Sequence, residues 1–241
     1  MITHRRRRAV CGLLFAGETR TFLGLYWPLP RSLICQGTSL PVPIHFKFRS
    51  GTTLGWREWV DRELFDIGFM GLLQRAGVLK AIVLSRCLSN YRDLFNLRHL
   101  VRRWCTTIHT FFFSCSKVTV TLEDVANQLL LPILGNVDPA ALELSLEEKV
   151  VEAELKKRMS RNAKLSYWVS SSSKFFITAR CAAFIAFWLC KFIFGSHPHY
   201  AVKPLYFRSA IKISAGVSLP LAPMFLGHFY VQLDILWSDE S

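Results

Sequence analysis

The run KFFITARCAAFIAFWLCKFIF, residues 174–194, constrains this chain more than any other stretch. About twenty mainly apolar residues either lie in lipid or must be covered by the rest of the molecule. Arg180 and Lys191 decide between the two, because they leave only Cys181 to Cys190 uninterrupted. An arginine inside a span costs roughly 2.5–3.5 kcal/mol on insertion scales, although a lysine near an end can snorkel. The run therefore predicts a buried helix of a globular domain, and membrane insertion through 174–194 ranks third among the functional alternatives. A chain of 241 residues, 51% of them hydrophobic, has the material to cover such a helix.

Covering faces are readable on both sides of it. Trp56, Trp59, Val60, Leu64, Ile67, Met70 and Leu73 recur at three- and four-residue steps opposite Arg57, Asp61, Arg62 and Asp66. That spacing predicts one amphipathic helix ending near Gly71 or Gly77, with its aromatic pair in the core. Leu94, Leu97, Leu100, Val101 and Trp104 predict a second helix beginning around Asn90 or Asp93, with Arg98, Arg102 and Arg103 beside the apolar face. Two β-prone runs follow, Thr110–Phe113 and Val118–Thr121, separated by SCSK and short enough for a hairpin. Thr121 is placed as an N-cap with Asp124 three residues on, and Leu122, Val125, Leu129 and Leu130 give that helix an apolar face stopped by Pro132 and Gly135.

Further along, Asp138 is an expected N-cap with Pro139 at the first helical position, and Ser145 with Glu148 a second helix start. SYWVSSSSK reads as a low-complexity joint, and residues 206–237 as two helices separated around Gly216 to Pro220. The fold class is mainly α: a single helical domain over 51–241 with a small β-hairpin near 109–121 leading into a capped helix. Residues 1–50, interrupted by Pro28, Pro30, Pro41 and Pro43, are expected to be a poorly ordered basic leader.

The formal charge is +13, and residues 1–49 hold eight Lys or Arg against Glu18 alone. Such a balance favours acidic partners and says nothing of fold. Arg5, Arg6, Arg7 and Arg8 form a minimal nuclear-targeting or polyanion-binding cluster. Seven cysteines without a C-x-x-C pair read as reduced thiols, and none stands at zinc-ligand spacing with His99, His109, His197 or His199.

Catalytic sets are not assignable. No G-x-x-x-x-G-K-[ST] phosphate loop or G-x-S-x-G elbow occurs. Glu123 and Asp124 are adjacent, so a helix points them apart and capping is their better use. His109, Cys105 and Cys115 are close in sequence, but a nucleophile needs a base and an orienting group in defined geometry. A helix-turn-helix beginning at TLEDVANQLLLP is disfavoured, since the following helix from Asp138 to Glu148 offers acids and leucines to base edges.

The order NLRHLVRRWCTTIHTFFF, VTVTLEDVANQLLLPILG, AAFIAFWLCKFIF and AIKISAGVSLPLAPMFLGHFYVQL resembles the plant mobile domain, also called the aminotransferase-like plant mobile domain. The resemblance runs from about Trp56 to Leu236 and is most specific at Trp104, Thr110, Phe111, Thr119, Thr121, Leu122, Asp124, Val125, Ala126, Leu131, Pro132 and Gly135. It implies a mainly helical, transposon-derived nuclear domain linked to transposon silencing and meristem development, with a phosphatase-like protein as expected partner. Cys115, Ser116 and Lys117 stand where the family commonly has a Gly-Glu turn, and the domain is expected to be incomplete at its C-terminus, leaving Phe225, Phe229 and Trp237 in need of a partner or a missing segment. The word aminotransferase would require a Schiff-base lysine, and Lys80, Lys117, Lys174, Lys191, Lys203 and Lys212 lack a phosphate loop beside them. The expected function is a non-catalytic nuclear protein-interaction module without cofactor or metal, with DNA association as the alternative.

Overall fold

A computed structural model describes residues 49–50, 55–86, 90–91, 94–195 and 201–240. The Arg5–Arg8 cluster and most of the leader, like His197 and His199, lie outside the described residues. In chain order the helices are α1 (Trp56–Leu64), α2 (Ile67–Arg75), α3 (Leu79–Ser85), α4 (Leu94–Val101), α5 (Leu122–Leu129), α6 (Leu146–Arg161), α7 (Leu165–Ser170), α8 (Ile177–Trp188), α9 (Phe207–Ser214) and α10 (Leu221–Glu240). The strands are β1 (Arg49–Ser50), β2 (Asn90–Tyr91), β3 (Trp104–Cys105), β4 (Thr110–Phe112) and β5 (Lys117–Val118). The mainly helical class with a small sheet is as expected.

The chain divides into two compact units, the first containing Leu88–Leu129 and Leu226–Ser241, the second Thr52–Cys87 and Leu130–Phe225. In the second unit α8 is the centre. Every residue from Cys181 to Cys190 is buried, so the apolar run is a core helix, extended by a π-helical turn at Leu189–Ile193. α9, α6 and α1 supply its cover. Trp56 stacks on Phe184 at 5.0 Å and on Phe187 at 4.8 Å, and Trp59 meets Phe184 edge-on at 5.5 Å. Among the described residues no single helix is long and apolar enough to cross a membrane, although α2 and α3, bent by 111°, pass that test of length and composition together.

In this unit the structure corrects two sequence expectations. The stripe from Trp56 is two helices, because Asp66 leaves the helical conformation and accepts a hydrogen bond from the Phe69 amide as an N-cap. Ile67 is consequently exposed rather than part of the apolar face. α3, unread in the sequence, follows the turn at Gly77, whose φ of 75° suits glycine. SYWVSSSSK is no joint: α7 occupies its first half and buries Trp168 completely. The break between α9 and α10 falls where expected, with Pro223 in the first turn of α10.

In the first unit the sheet has order β3-β4-β5, all antiparallel, with Trp104 opposite Phe111 and Phe111 opposite Val118. Trp104 therefore opens a strand rather than continuing α4, which ends at Val101. Val101, Trp104, Phe111 and Leu233 form the buried centre, against which Leu100, Phe113, Phe229, Tyr230 and Trp237 pack. Phe229 and Trp237 are thus partly buried against this centre, and Phe225 is buried. The exposed apolar residues of α10 are instead Val231, Ile235 and Leu236.

Candidate functional site

The sheet turns from β3 into β4 at His109, a non-glycine residue with φ of 47°. Such a conformation persists only where its surroundings fix it. Thr119 donates to the His109 carbonyl at 2.6 Å, and the imidazole lies parallel to the Tyr230 ring with centroids 4.9 Å apart. His109 Nε2 is 3.4 Å from Asp234 Oδ2. The other oxygen of Asp234 accepts from Trp104 Nε1 at 2.7 Å. Tyr230 closes the cluster by donating to the Val120 carbonyl at 2.6 Å. Asp234 lies 130 residues from Trp104, a spacing that carries no local signal in the sequence.

A histidine oriented by a carboxylate is half of a hydrolytic relay. The imidazole here meets Asp234, Tyr230 and Trp104, while neither Cys105 nor Cys115 joins it. The triplet suggested by sequence proximity is therefore not assembled. What the cluster does is join the sheet to α10 through polar atoms, around the apolar centre formed by Trp104 and Phe111.

The remaining motif residues are likewise spent on structure. Thr110 donates to the Ile108 carbonyl, and Val125 is fully buried. Thr121 accepts from the Asp124 amide at 3.1 Å, while the Asp124 carboxylate accepts from the Thr121 amide at 2.9 Å, the reciprocal box expected for this helix start. Leu122 and Ala126 are half-buried on the same helix. In the second unit Leu131 is buried, and the Pro132 carbonyl accepts from the Ala222 amide at 2.9 Å. A Cβ on Gly135 would lie 2.5 Å from Pro220 Cδ and 2.7 Å from its nitrogen, so only glycine permits this approach. Leu130, expected on the apolar face of α5, lies beyond its end with φ of 56° and is exposed.

The second unit holds a buried charge pair. Glu63, 1% exposed, accepts from Trp59 Nε1 and from Arg180 Nε, each at 3.0 Å. Arg180, the charge that breaks the apolar run, is thereby matched inside the fold. Burial, reinforced by the Glu63 carboxylate, pushes the Cys181 thiol up to about 12, and burial pushes Cys190 up to about 11, so both are protonated core residues rather than nucleophiles. Of the lysines, Lys212 pairs with Glu148 at 2.6 Å and Lys117 lies over the Phe112 ring. Burial holds Lys203 below the usual range for an amine. Among the described residues no group of three or more His, Cys, Asp or Glu is placed to hold a metal ion.

Comparison with curated proteins and with solved structures gives no match. The model of one family, the plant mobile domain, matches residues 77–240, a stretch that takes in the sheet, the Thr121 box, the Pro132–Gly135 approach, α8 and α10. On that match the chain belongs to the plant mobile domain family.

Proposed function

We propose that this chain is a non-catalytic protein-interaction module acting in the nucleus, within the transposon-derived setting that the family resemblance implies, including transposon silencing and meristem development. The observation that carries the reading is the outward side of α10. Its inward side is spent on the sheet through Tyr230, Leu233 and Asp234, while Val231 and Ile235, one helical turn apart, and Leu236 are exposed. An apolar stripe beside a satisfied polar seam is the pattern of a helix that receives a partner. A phosphatase-like protein is the partner expected from the resemblance.

Affinity purification from plant nuclei with and without nuclease tests this. Nuclease-resistant recovery of a phosphatase-like protein, lost in a Val231→Asp, Ile235→Asp variant that keeps its helical circular dichroism, is the expected result. Recovery unchanged in that variant would move the interaction elsewhere. A pyridoxal absorbance band on the purified protein would overturn the non-catalytic reading.

A further inference from the structure

The joint between α6 and α7 presents a serine hydroxyl among cations. Ser160 stands in the last turn of α6, one residue before its end at Arg161, and is exposed. Its Oγ donates to the Lys157 carbonyl at 2.8 Å. Lys156 and Lys157, one turn back on the same face, and Arg161 and Lys164 beyond it are exposed as well. The nearest acids earlier in α6 are engaged, Glu152 with Lys156 and Arg208 and Glu154 with Arg158. Among the described residues Lys157, Arg161 and Lys164 form no ion pair. After Glu154 the sequence has no Asp or Glu before Asp234.

Lys157 and Arg158 stand three and two residues before Ser160, and nowhere else in the sequence do two adjacent Lys or Arg hold those positions ahead of a Ser or Thr. A cleft that reads cations with carboxylates on the N-terminal side of a hydroxyl accepts this pattern. The joint itself is closed by few bonds. The chain leaves the helix at Asn162, whose φ of −161° and ψ of 113° are extended. The Asn162 amide donates to the Arg158 carbonyl at 3.0 Å, and the Asn162 carbonyl accepts from Trp168 Nε1 at 3.1 Å. Arg158 lies over the Phe175 ring at 4.6 Å from its centroid. Opening the last turn presents the segment from Lys157 to Ser160, Arg158 included, in extended form, and helix ends are where opening costs least.

We propose that Ser160 is a phosphorylation site for a basic-directed serine kinase, and that the phosphate holds the α6–α7 joint open. Ser160 Oγ bonds to the γ-phosphorus of a nucleoside triphosphate, and the bond from that phosphorus to the bridging oxygen of the β-phosphate breaks. The nucleoside diphosphate leaves, and the hydroxyl proton passes to the base of the kinase. The group that donated to the Lys157 carbonyl is then an acceptor of about −1.5 to −2 charge at the negative end of a helix, so the turn does not reclose. Arg161 and Lys164 pair with the phosphate once the turn is unwound.

The test incubates the native full chain with a basic-directed kinase, the catalytic subunit of cyclic-AMP-dependent protein kinase, and labelled ATP, and maps the phosphate by mass spectrometry. Phosphate at Ser160 is expected, lost in Ser160→Ala and reduced in Lys157→Gln. Backbone hydrogen exchange then reads the joint. Amides from Arg158 to Lys164 are expected to lose protection in the phosphorylated chain relative to both the parent and Ser160→Ala, while those of Cys181–Cys190 keep theirs. Ser160→Ala removes the bond to Lys157 without adding charge, and so separates the phosphate from the lost hydroxyl. No phosphate at Ser160 of the native chain, whether or not a peptide of residues 154–165 accepts one, would overturn the proposal. So would equal incorporation in Ser160→Ala, or exchange at the joint that is unchanged or slower after phosphorylation.

Discussion

At Thr121 one hydroxyl and one carboxylate satisfy two amides that the first turn of α5 would otherwise leave without partners. Thr121→Ala is therefore expected to cost about 0.5–2 kcal/mol, read as a lower urea midpoint with an unchanged slope. Glu63 sits in a harsher place. Its carboxylate is almost fully buried and is held by Trp59 and Arg180. Glu63→Ala leaves an arginine facing an apolar core, which costs about 3–5 kcal/mol for a fully buried pair. Arg180 is 27% exposed, which places this case at the lower end. In a double-mutant cycle Arg180→Met in the Glu63→Ala background is expected to recover part of the loss. Additive losses would show that the two side chains do not interact.

At the scale of elements, what the sequence disclosed was whatever one segment settles alone. Thr121 with Asp124 and Ser145 with Glu148 are local pairs, and both boxes form as the sequence predicts. Trp104 is different. Its position three residues after Val101 fits a helix, but its strand is defined by Phe111 across the sheet, and its indole is held by Asp234, 130 residues away. The same holds for the candidate site: its motif residues were legible one by one, while Tyr230 and Asp234, which give them their arrangement, were not. Asp66 failed for another reason, since a polar residue on an outward face and an N-cap look alike in sequence. The start of α6 also carries a pH dependence. Burial raises the Glu148 carboxyl, but the hydrogen bond and charge of Lys212, with the Ser145 amide, outweigh it and hold the group below its usual value. A depressed carboxyl contributes stability above its unfolded-state value and loses it as pH falls through the folded one. Lys212→Met should therefore lower the urea midpoint at neutral pH, and the gap from the parent should narrow as pH falls below 4.5. A gap that is constant with pH would mean that Lys212 acts through packing alone.

For the molecule as a whole, the apolar run that forces the fold is also the place where stability should be greatest within its unit. Cys181 to Cys190 are buried without a break, whereas α6, which packs against α8, turns Glu147, Lys149, Val150, Ala153, Lys156 and Lys157 toward solvent. Amides of a helix enclosed in this way exchange with solvent only when the surrounding unit opens. Backbone hydrogen exchange is therefore expected to be slowest over Cys181–Cys190 and faster along the outward side of α6. Phe184 supplies the perturbation, because its ring meets Trp56, Trp59 and Phe69 at once. Phe184→Ala removes those contacts and is expected to cost about 3–5 kcal/mol. If α8 is the centre of its unit, that loss should lower protection in α8 and α1 by the same free energy, since both exchange through one opening. Protection in α8 that stays unchanged, or falls in α1 alone, would show that the helix opens independently of the aromatic cover, and would remove it from the centre of the unit.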